Sequence, residues 1–312
     1  NGGGMFMPII PDRPFDVSME DVYQLGRDLM PFIAELKSVN SICVFPHGAL
    51  HSFPFAVIPL DDGSPLINHT CVTVSPSRRI LGIARATGRS VPGQPFFPRS
   101  ALTVGVPAVD EPSPSAFLGE AEFLESLDML EDVLGLESSS DAITTEVIRN
   151  FGSYDLVHFN CHGHFSQVMP LDSCLMLSDG RGGPHCGTTA EVRGAANLDA
   201  RTIMQRCLAG TNIVVLRACS SGTTNVRTGD ELEGILRALI HVGTATCIVA
   251  RWKIDAASSR ELLRRFYHAW LVDRLPKAYA LQHAQKSFLS DSCTYLNHPF
   301  HWAPFVIVGD WW

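Results

Sequence analysis

The chain has 312 residues, of which 46% are hydrophobic and 18% are charged. This length suits about two domains, and the composition is that of a globular protein, which excludes collagen, coiled coil and intrinsic disorder. The 24 basic and 32 acidic side chains leave a net charge of -8, and the arginines are scattered, so nucleic acid is not an expected direct ligand. Apolar runs are strand-sized and fall short of the roughly 18 residues that a membrane span requires.

The nine cysteines indicate a reducing compartment. An odd count does not suit a disulfide framework, and several cysteines stand in apolar, strand-like runs where a free thiol behaves as a small hydrophobic group. A cytoplasmic location is therefore expected. The chain starts with Asn-Gly-Gly-Gly and no Met, which is typical of a piece of a longer polypeptide or of a cloning remnant.

The first part of the chain mixes helical and strand patterns. A capping serine and an apolar period of 3.6 predict a helix over 18–36. Short β-rich runs bounded by Pro, Gly or Asn predict strands at 42–45, 71–74 and 101–106. A second helical pattern covers 119–134.

From residue 136 onwards strands and helices alternate regularly. Strands are predicted at 154–159, 212–216, 246–249 and 305–308, and helices at 199–207, 230–241, 256–270 and after Pro276. Strands that alternate with helices of roughly 10 to 15 residues indicate βαβ units. We therefore expect an α/β fold with a mostly parallel sheet flanked by helices.

Two strand ends in this region carry reactive side chains. The first predicted strand runs into Cys161-His162-Gly163, and the second runs into Arg217-Ala218-Cys219. Ligands and reactive groups collect beyond the carboxyl ends of parallel strands, and neighbouring strands lie about 4.8 Å apart. His162 and Cys219, each two or three residues past its strand, are therefore expected to share one cleft.

A thiol beside an imidazole is the arrangement of an activated cysteine nucleophile. The imidazolium favours the thiolate and can later protonate the leaving amine. The backbone amides of Gly163 and Cys219 are candidates for an oxyanion hole. Spacing alone leaves a catalytic dyad and a coincidental pair both open, because Cys and His signatures do not transfer between families.

A metal site is the competing interpretation of the histidines around Cys161. The two-residue period of a strand places Cys161 on the face opposite His158 and His162, so these groups do not converge, and no metal or other cofactor is expected. His158 is predicted to be a hydrogen-bonded core histidine. The sequence contains no phosphate-binding loop, Gly-x-Ser-x-Gly elbow or His-Glu-x-x-His helix.

These residues form part of a longer ordered series of motifs. The series comprises FPHGALHSFPF at 45–55, GEAE at 119–122, HFNCHG at 158–163, PLDS at 170–173, ACSSG at 218–222, GDE at 229–231, WKID at 252–255 and WAPFVIVGD at 302–310. It covers nearly the whole chain and resembles the CHAT domain, a caspase-like module of clan CD cysteine peptidases related to caspases and separase.

The resemblance implies a catalytic dyad and a division of the chain. His162 matches the histidine of the family's His-Gly motif, and Cys219 matches the cysteine of its Ala-Cys-x-x-Gly motif. The chain would then be a cysteine endopeptidase that cleaves a protein partner. Residues 136–312 would form a caspase-like catalytic subdomain with the caspase-hemoglobinase fold, and residues 1–135 a degenerate supporting subdomain.

The resemblance also implies partners and a biological role. Family members often follow tetratricopeptide repeats or other sensor regions in one polypeptide, and they resemble regulated effectors in immunity or cell death. The glycine-rich segment 178–197 is expected to shield the cleft until such a region rearranges. The alternative is a protease-dead interaction module that keeps the fold and does not need Cys219.

Departures from the family pattern concern the S1 pocket. The family usually has Asp where His47 stands, Ser where Arg217 stands, and an apolar residue or Gln where Arg251 stands. His47 belongs to a structural hairpin. Arg217 and Arg251 stand near the predicted pocket, where two guanidinium groups suit a carboxylate.

Two other interpretations of the S1 pocket stay open. Asp255 or Asp230 could form the floor of a pocket for a basic residue. Alternatively, Arg217 is neutralised by an acid such as Glu231 or Asp172, and the pocket takes an apolar side chain. We rank an apolar or acidic P1 residue above a basic one.

Overall fold

The computed structural model describes the chain in segments. They are residues 19–30, 33–88, 94–105, 124, 130–134, 147–164, 169–177, 197–206, 211–220, 233–252 and 254–312. Across these segments, no helix has the length and apolar character to cross a membrane.

The described strands build one sheet. They are β1 (Ser41–Val44), β2 (Cys71–Val74), β3 (Ala101–Gly105), β4 (Leu130–Leu134), β5 (Leu156–His164), β6 (Cys174–Met176), β7 (Asn197–Asp199), β8 (Ile213–Ser220), β9 (Thr246–Ala250) and β10 (Phe305–Gly309). Their order is β1-β2-β10-β9-β8-β5-β3-β4, and β6 and β7 extend from β5. The α/β sheet is mostly parallel, as predicted.

The sheet contains two groups of strands that run in opposite directions. Strands β9, β8, β5, β3 and β4 are parallel to one another, and β1, β2 and β10 are likewise parallel to one another. The groups meet where β10 pairs antiparallel with β9. The carboxyl ends of β5 and β8 therefore lie at the same edge of the sheet.

Helices cover both faces of the sheet. They are α1 (Met19–Leu29), α2 (Arg78–Thr87), α3 (Ala200–Arg206), α4 (Glu233–His241), α5 (Ala256–Tyr267), α6 (Lys277–Leu289) and the short α7 (Pro299–Trp302). Side chains of α5 and α6 pack in one buried apolar cluster, and side chains of α3 and α4 pack in a second. Strand β5 alternates between them, because Leu156 joins the first cluster while Val157 and Phe159 join the second.

Two predicted elements differ from the structure. The helix predicted over 18–36 ends as α1 at Leu29, and a 3-10 helix follows at Ile33–Ser38. Pro31 explains the break, because proline disfavours helical geometry in the preceding residue and donates no backbone hydrogen bond. The helix predicted over 119–134 is wrong at Leu130–Leu134, where parallel pairing with β3 makes an edge strand from a sequence of helical period.

Strands from the first 135 residues lie at both ends of the sheet order. Strands β1 and β2 form one end, and β3 and β4 form the other. Strands β10, β9, β8 and β5 of residues 136–312 lie between them in the same hydrogen-bonded sheet, and β6 and β7 extend from β5. The division into supporting and catalytic subdomains at residue 135 stays a prediction.

One close backbone contact joins the chain segments that follow β5 and β8. A Cβ atom placed on Gly234, at the start of α4, would lie 1.7 Å from the carbonyl oxygen of Pro170. Pro170 begins a 3-10 turn, Pro170–Asp172, that follows β5. Only glycine allows the first turn of α4 to approach that backbone so closely.

Gly234→Ala is therefore expected to lower the free energy of unfolding by about 1 to 3 kcal/mol, because the methyl group meets backbone that cannot rotate away. Gly82→Ala is the matched control, since Gly82 stands inside α2 with open space where its Cβ would lie. That control should stabilise the chain by about 0.5 to 1 kcal/mol. Urea unfolding measures both, and equal effects of the two substitutions would contradict the contact.

Candidate active site

The candidate dyad residues are direct neighbours across two parallel strands. In the register of β5 and β8, His162 pairs with Cys219 and Gly163 pairs with Ser220. The structure describes the backbone at His162 and Cys219. It thus brings together the two positions that carry the imidazole and the thiol.

The two strands are longer than the sequence pattern indicates. Their apolar runs end at Phe159 and Leu216, yet β5 continues to His164 and β8 continues to Ser220. The outer part of β5 also pairs antiparallel with β6, where His162 faces Met176. His162 and Cys219 therefore lie within paired strands and not beyond them. Backbone pairing with neighbouring strands on both sides of β5 extends this strand past the end of its apolar run.

His158 is a buried structural histidine, as predicted. Its side chain is fully buried on the α5 side of the sheet, and its Nδ1 lies 2.7 Å from the Tyr267 hydroxyl oxygen. Burial, with a contribution from the nearby Arg217 charge, lowers the pKa of His158 to about 3. Cys161 belongs to the opposite apolar cluster, so the predicted separation of these two side chains is confirmed.

Arg217 extends from β8 to the first turn of α5. Its Nε donates a hydrogen bond to the Ser259 hydroxyl at 3.0 Å, and its Nη2 donates to the Ala256 carbonyl at 2.6 Å. The side chain is only 5% exposed. Arg217, which is predicted to lie near the substrate pocket, thus also links β8 to α5.

Arg251 and Asp255 lie between β9 and α5. Arg251 is buried, its Nη1 donates a hydrogen bond to the Phe53 carbonyl, and burial lowers the pKa of its guanidinium to about 10. Asp255 is the N-cap of α5, and its carboxylate accepts a hydrogen bond from the Ser258 backbone N–H at 2.8 Å. The first turn of α5 is thus capped by the Asp255 carboxylate and also binds Arg217, whereas Arg251 binds the chain at Phe53.

Several residues named in the sequence interpretation fall outside the described part of the chain. They are Asp230, Glu231 and residues 178–196 of the glycine-rich segment. Asp172, the other acid considered for Arg217, lies 3.5 Å from Arg201 of α3. Within the described segments, no three side chains of His, Cys, Asp or Glu lie close enough to hold a metal ion.

Sequence interpretation missed Ser259 and Tyr267, the α5 partners of Arg217 and His158. A signal for Ser259 was present, because it stands on the apolar stripe that continues through Leu263 and Phe266. A hydroxyl at such a position implies a buried polar partner. The identity of that partner depends on how α5 packs on β8, which no local pattern encodes.

The sequence matches the CHAT domain family over residues 20–310. This match covers most of the chain and includes both strands of the candidate dyad. The chain belongs to the CHAT domain family.

Tetratricopeptide repeat protein 28 is a curated relative in two mammals. The protein of Mus musculus is 30% identical over 97 residues, and that of Homo sapiens is 29% identical over the same length. These alignments cover 31% of this chain and 4% of either relative. The chain therefore corresponds to a small part of those proteins.

Solved structures of caspase-like clan CD peptidases share the fold. The Arg-specific cysteine proteinase gingipain R superposes with a TM-score of 0.52 at 11% identity, covering 95% of this chain and 68% of that one. The separase–securin complex of Saccharomyces cerevisiae gives 0.50 at 15% identity, covering 83% of this chain and 14% of that one. This likeness confirms the predicted caspase-like fold.

Because His158 is buried with a lowered pKa, we expect the free energy of unfolding of the chain to decrease at acidic pH. Its pKa is lower in the folded state than in the unfolded state, so the unfolded chain binds more protons between about pH 6.5 and 3. Stability is therefore fully present above pH 6.5 and falls as the pH decreases through that window. The slope attributable to His158 should approach about 1.4 kcal/mol per pH unit.

His158→Phe should remove this slope between pH 5 and 6.5, as measured by urea unfolding at each pH. Tyr267→Phe is the control, because it deletes the hydroxyl partner and leaves the buried imidazole in place. That control should lower stability by about 1 kcal/mol at every pH while retaining the slope. An unchanged slope in His158→Phe would contradict the assignment.

Proposed function

We propose that this CHAT-family chain is a cysteine endopeptidase that cleaves a protein partner, with Cys219 as nucleophile and His162 as its acid–base partner. The observation that carries the proposal is the pairing of His162 with Cys219 in the β5–β8 register. Neighbouring strands lie about 4.8 Å apart, so side chains from paired positions reach one substrate carbonyl. The shared fold with cysteine peptidases supports the same conclusion.

The proposed reaction proceeds through an acyl-enzyme. The Cys219 thiolate attacks the carbonyl carbon of the scissile peptide, and the backbone N–H groups of Gly163 and Cys219 stabilise the oxyanion. Protonated His162 then donates its proton to the departing amine as the C–N bond breaks. Neutral His162 next removes a proton from water, the hydroxide attacks the thioester, and the C–S bond breaks to release the thiolate and a carboxylic acid, which loses its proton to solvent.

The S1 pocket is proposed at the carboxyl ends of β8 and β9, with Arg217, Arg251 and Asp255 around it. Of these three described residues, Arg217 and Arg251 are buried guanidinium groups, whereas the Asp255 carboxylate caps α5. This balance of charge opposes a lysine or arginine side chain of the substrate. An apolar or acidic P1 residue is therefore favoured.

The biological setting is proposed from the relatives. The two curated relatives are named as tetratricopeptide repeat proteins, and the matched region is a small fraction of each. A repeat region in the same polypeptide or complex would then sense a signal and control the peptidase. On this basis we propose a cytoplasmic, regulated effector in immunity or cell death.

Cys219→Ala and His162→Ala should each reduce cleavage of the protein partner by several orders of magnitude, because the two residues act as a unit in catalysis. The assay is cleavage of candidate partners by the chain in the presence of the proposed repeat region, followed on gels and by mass spectrometry of the new termini. Cys293→Ala is the matched control, since it removes an exposed thiol elsewhere. Unchanged cleavage in both dyad variants would favour a docking module that does not need Cys219.

The charge around the S1 pocket predicts the outcome of substrate profiling. A peptide library randomised at P1 should show faster cleavage after apolar or acidic residues than after lysine or arginine. The rates of the individual peptides are compared at one enzyme concentration, with Cys219→Ala as the blank. A preference for arginine or lysine would overturn the proposed pocket.

A further inference from the structure

The outer face of α6 carries a groove of about 740 Å³. Its described lining includes Leu275, Tyr279, His283, Lys286 and Leu289, together with Asn68 from the 3-10 turn Leu66–Asn68. The lining positions on and just before α6 are three or four residues apart, so they occupy one side of the helix. The groove therefore runs along α6 and has the turn at Asn68 as its second wall.

Hydrogen bonds and core packing hold the two walls of the groove in place. Gln282 Nε2 donates a hydrogen bond to the Ile67 carbonyl at 2.7 Å, and Lys286 Nζ donates one to the Asn68 carbonyl at 3.0 Å. Ile67 and, on the inner side of α6, Phe288 are buried in one apolar cluster. The groove is thus already formed in the chain, and a ligand does not have to order it first.

The lining of the groove offers hydrogen-bonding groups and a positive charge. Lys286 donates to the Asn68 carbonyl and contacts no acidic side chain in the described part of the chain. In the same segments, the Tyr279 hydroxyl and the His283 imidazole have no hydrogen-bond partner. The lining residues that the structure describes include neither Asp nor Glu. A carboxylate entering the groove would therefore meet donors and a cation among these residues, and no like charge.

Three acidic side chains next to α6 lie against other basic groups. The pairs are Asp273–His268, Asp291–Arg265 and Asp310–Lys277. The Lys286 charge is thus left for an external partner, in a chain whose net charge is -8. An acidic partner that is repelled by the net charge of the chain would be attracted at this groove, which favours one docking position over others.

We propose that this groove binds an extended, acidic segment of a partner protein. A carboxylate of the segment pairs with Lys286, and apolar side chains on either side pack against Leu275 and Leu289, which are half-buried on the core. From Tyr279 to Leu289 the helix rises about 15 Å, the length of about five extended residues. The lining is mostly half-exposed, so it would leave a small molecule largely in water, whereas a segment of chain gains contacts along the whole groove. This binding is independent of the proposed peptidase activity.

The test recovers ligands from a library of random heptapeptides displayed on phage. Selection uses the Cys219→Ala chain as the parent, so that the proposed peptidase cannot consume its ligands, and the same chain with Lys286→Glu is used in parallel. Peptides retained by the parent alone should be enriched in Asp or Glu beside apolar residues. If no peptide distinguishes the two chains, or if the distinguishing peptides lack acidic residues, the proposal is wrong.

Fluorescence anisotropy then measures the dissociation constant of the most enriched peptide. Lys286→Glu should weaken binding about tenfold, because it removes one attractive charge pair and adds a repulsive one. His283→Asp, which adds a carboxylate to the groove, should weaken binding about threefold. Arg79→Glu is the matched control, since it reverses an exposed charge on α2, whose Ile80 packs against the other apolar cluster, and it should change the constant by less than about twofold. Equal effects of Lys286→Glu and Arg79→Glu would contradict a site at the groove.

A change in the peptide tests the proposal even where a variant of the chain folds poorly. Replacing the acidic residues of the peptide by Gln should weaken its binding to the parent about fivefold or more, and unchanged binding would overturn the proposal. So would displacement of the peptide by millimolar inorganic phosphate, which would assign the groove to a small anion. Self-association of the parent that Lys286→Glu abolishes, measured by analytical ultracentrifugation, would assign the groove to a second copy of the chain and would also overturn the proposal.

Discussion

The parallel pairing of β5 with β8 is the constraint on which the rest of the structure depends. Eight successive residue pairs, from Leu156–Ile213 to Gly163–Ser220, keep a single register. A shift of one residue would turn every side chain of one strand to the opposite face, so the two apolar clusters and the dyad positions are determined together. The same alternation that buries Val157 and Phe159 on one side places His158 on the other.

The polar layer beneath the proposed dyad shows how that register is reinforced. Arg217 of β8 and His158 of β5 each have a hydrogen-bond partner on α5, so this helix contacts both strands through polar side chains. Losing the Tyr267 hydroxyl would leave the Nδ1 atom of buried His158 without this bond, which costs more than the bond itself contributes. Polar contacts of this kind specify how α5 lies on the sheet, where apolar packing alone would accept several positions.

The fold class and most elements follow from local patterns, whereas the partners of the polar side chains do not. Alternating strands and helices in the second half, with Pro276 just before α6, appear in the structure close to their predicted bounds. Strand β4 was interpreted as a helix because its period is helical and its pairing with β3 is not local. The sequence places Arg217 near the predicted S1 pocket, two residues before Cys219. Its bonds to Ala256 and Ser259 depend on how α5 packs on β8, which no short stretch of sequence specifies.

The position of β10 affects how the chain folds during synthesis. This strand follows all the others in the chain, yet it lies between β9 and β2, and Val308 pairs with Val74. Until β10 emerges from the ribosome, the edges of β9 and β2 that β10 joins have unpaired backbone groups. Contacts of such sequence separation form slowly, and open strand edges invite association with other chains. The sheet of this chain is therefore completed only late in synthesis, and until then the open edges of β2 and β9 favour association with other chains.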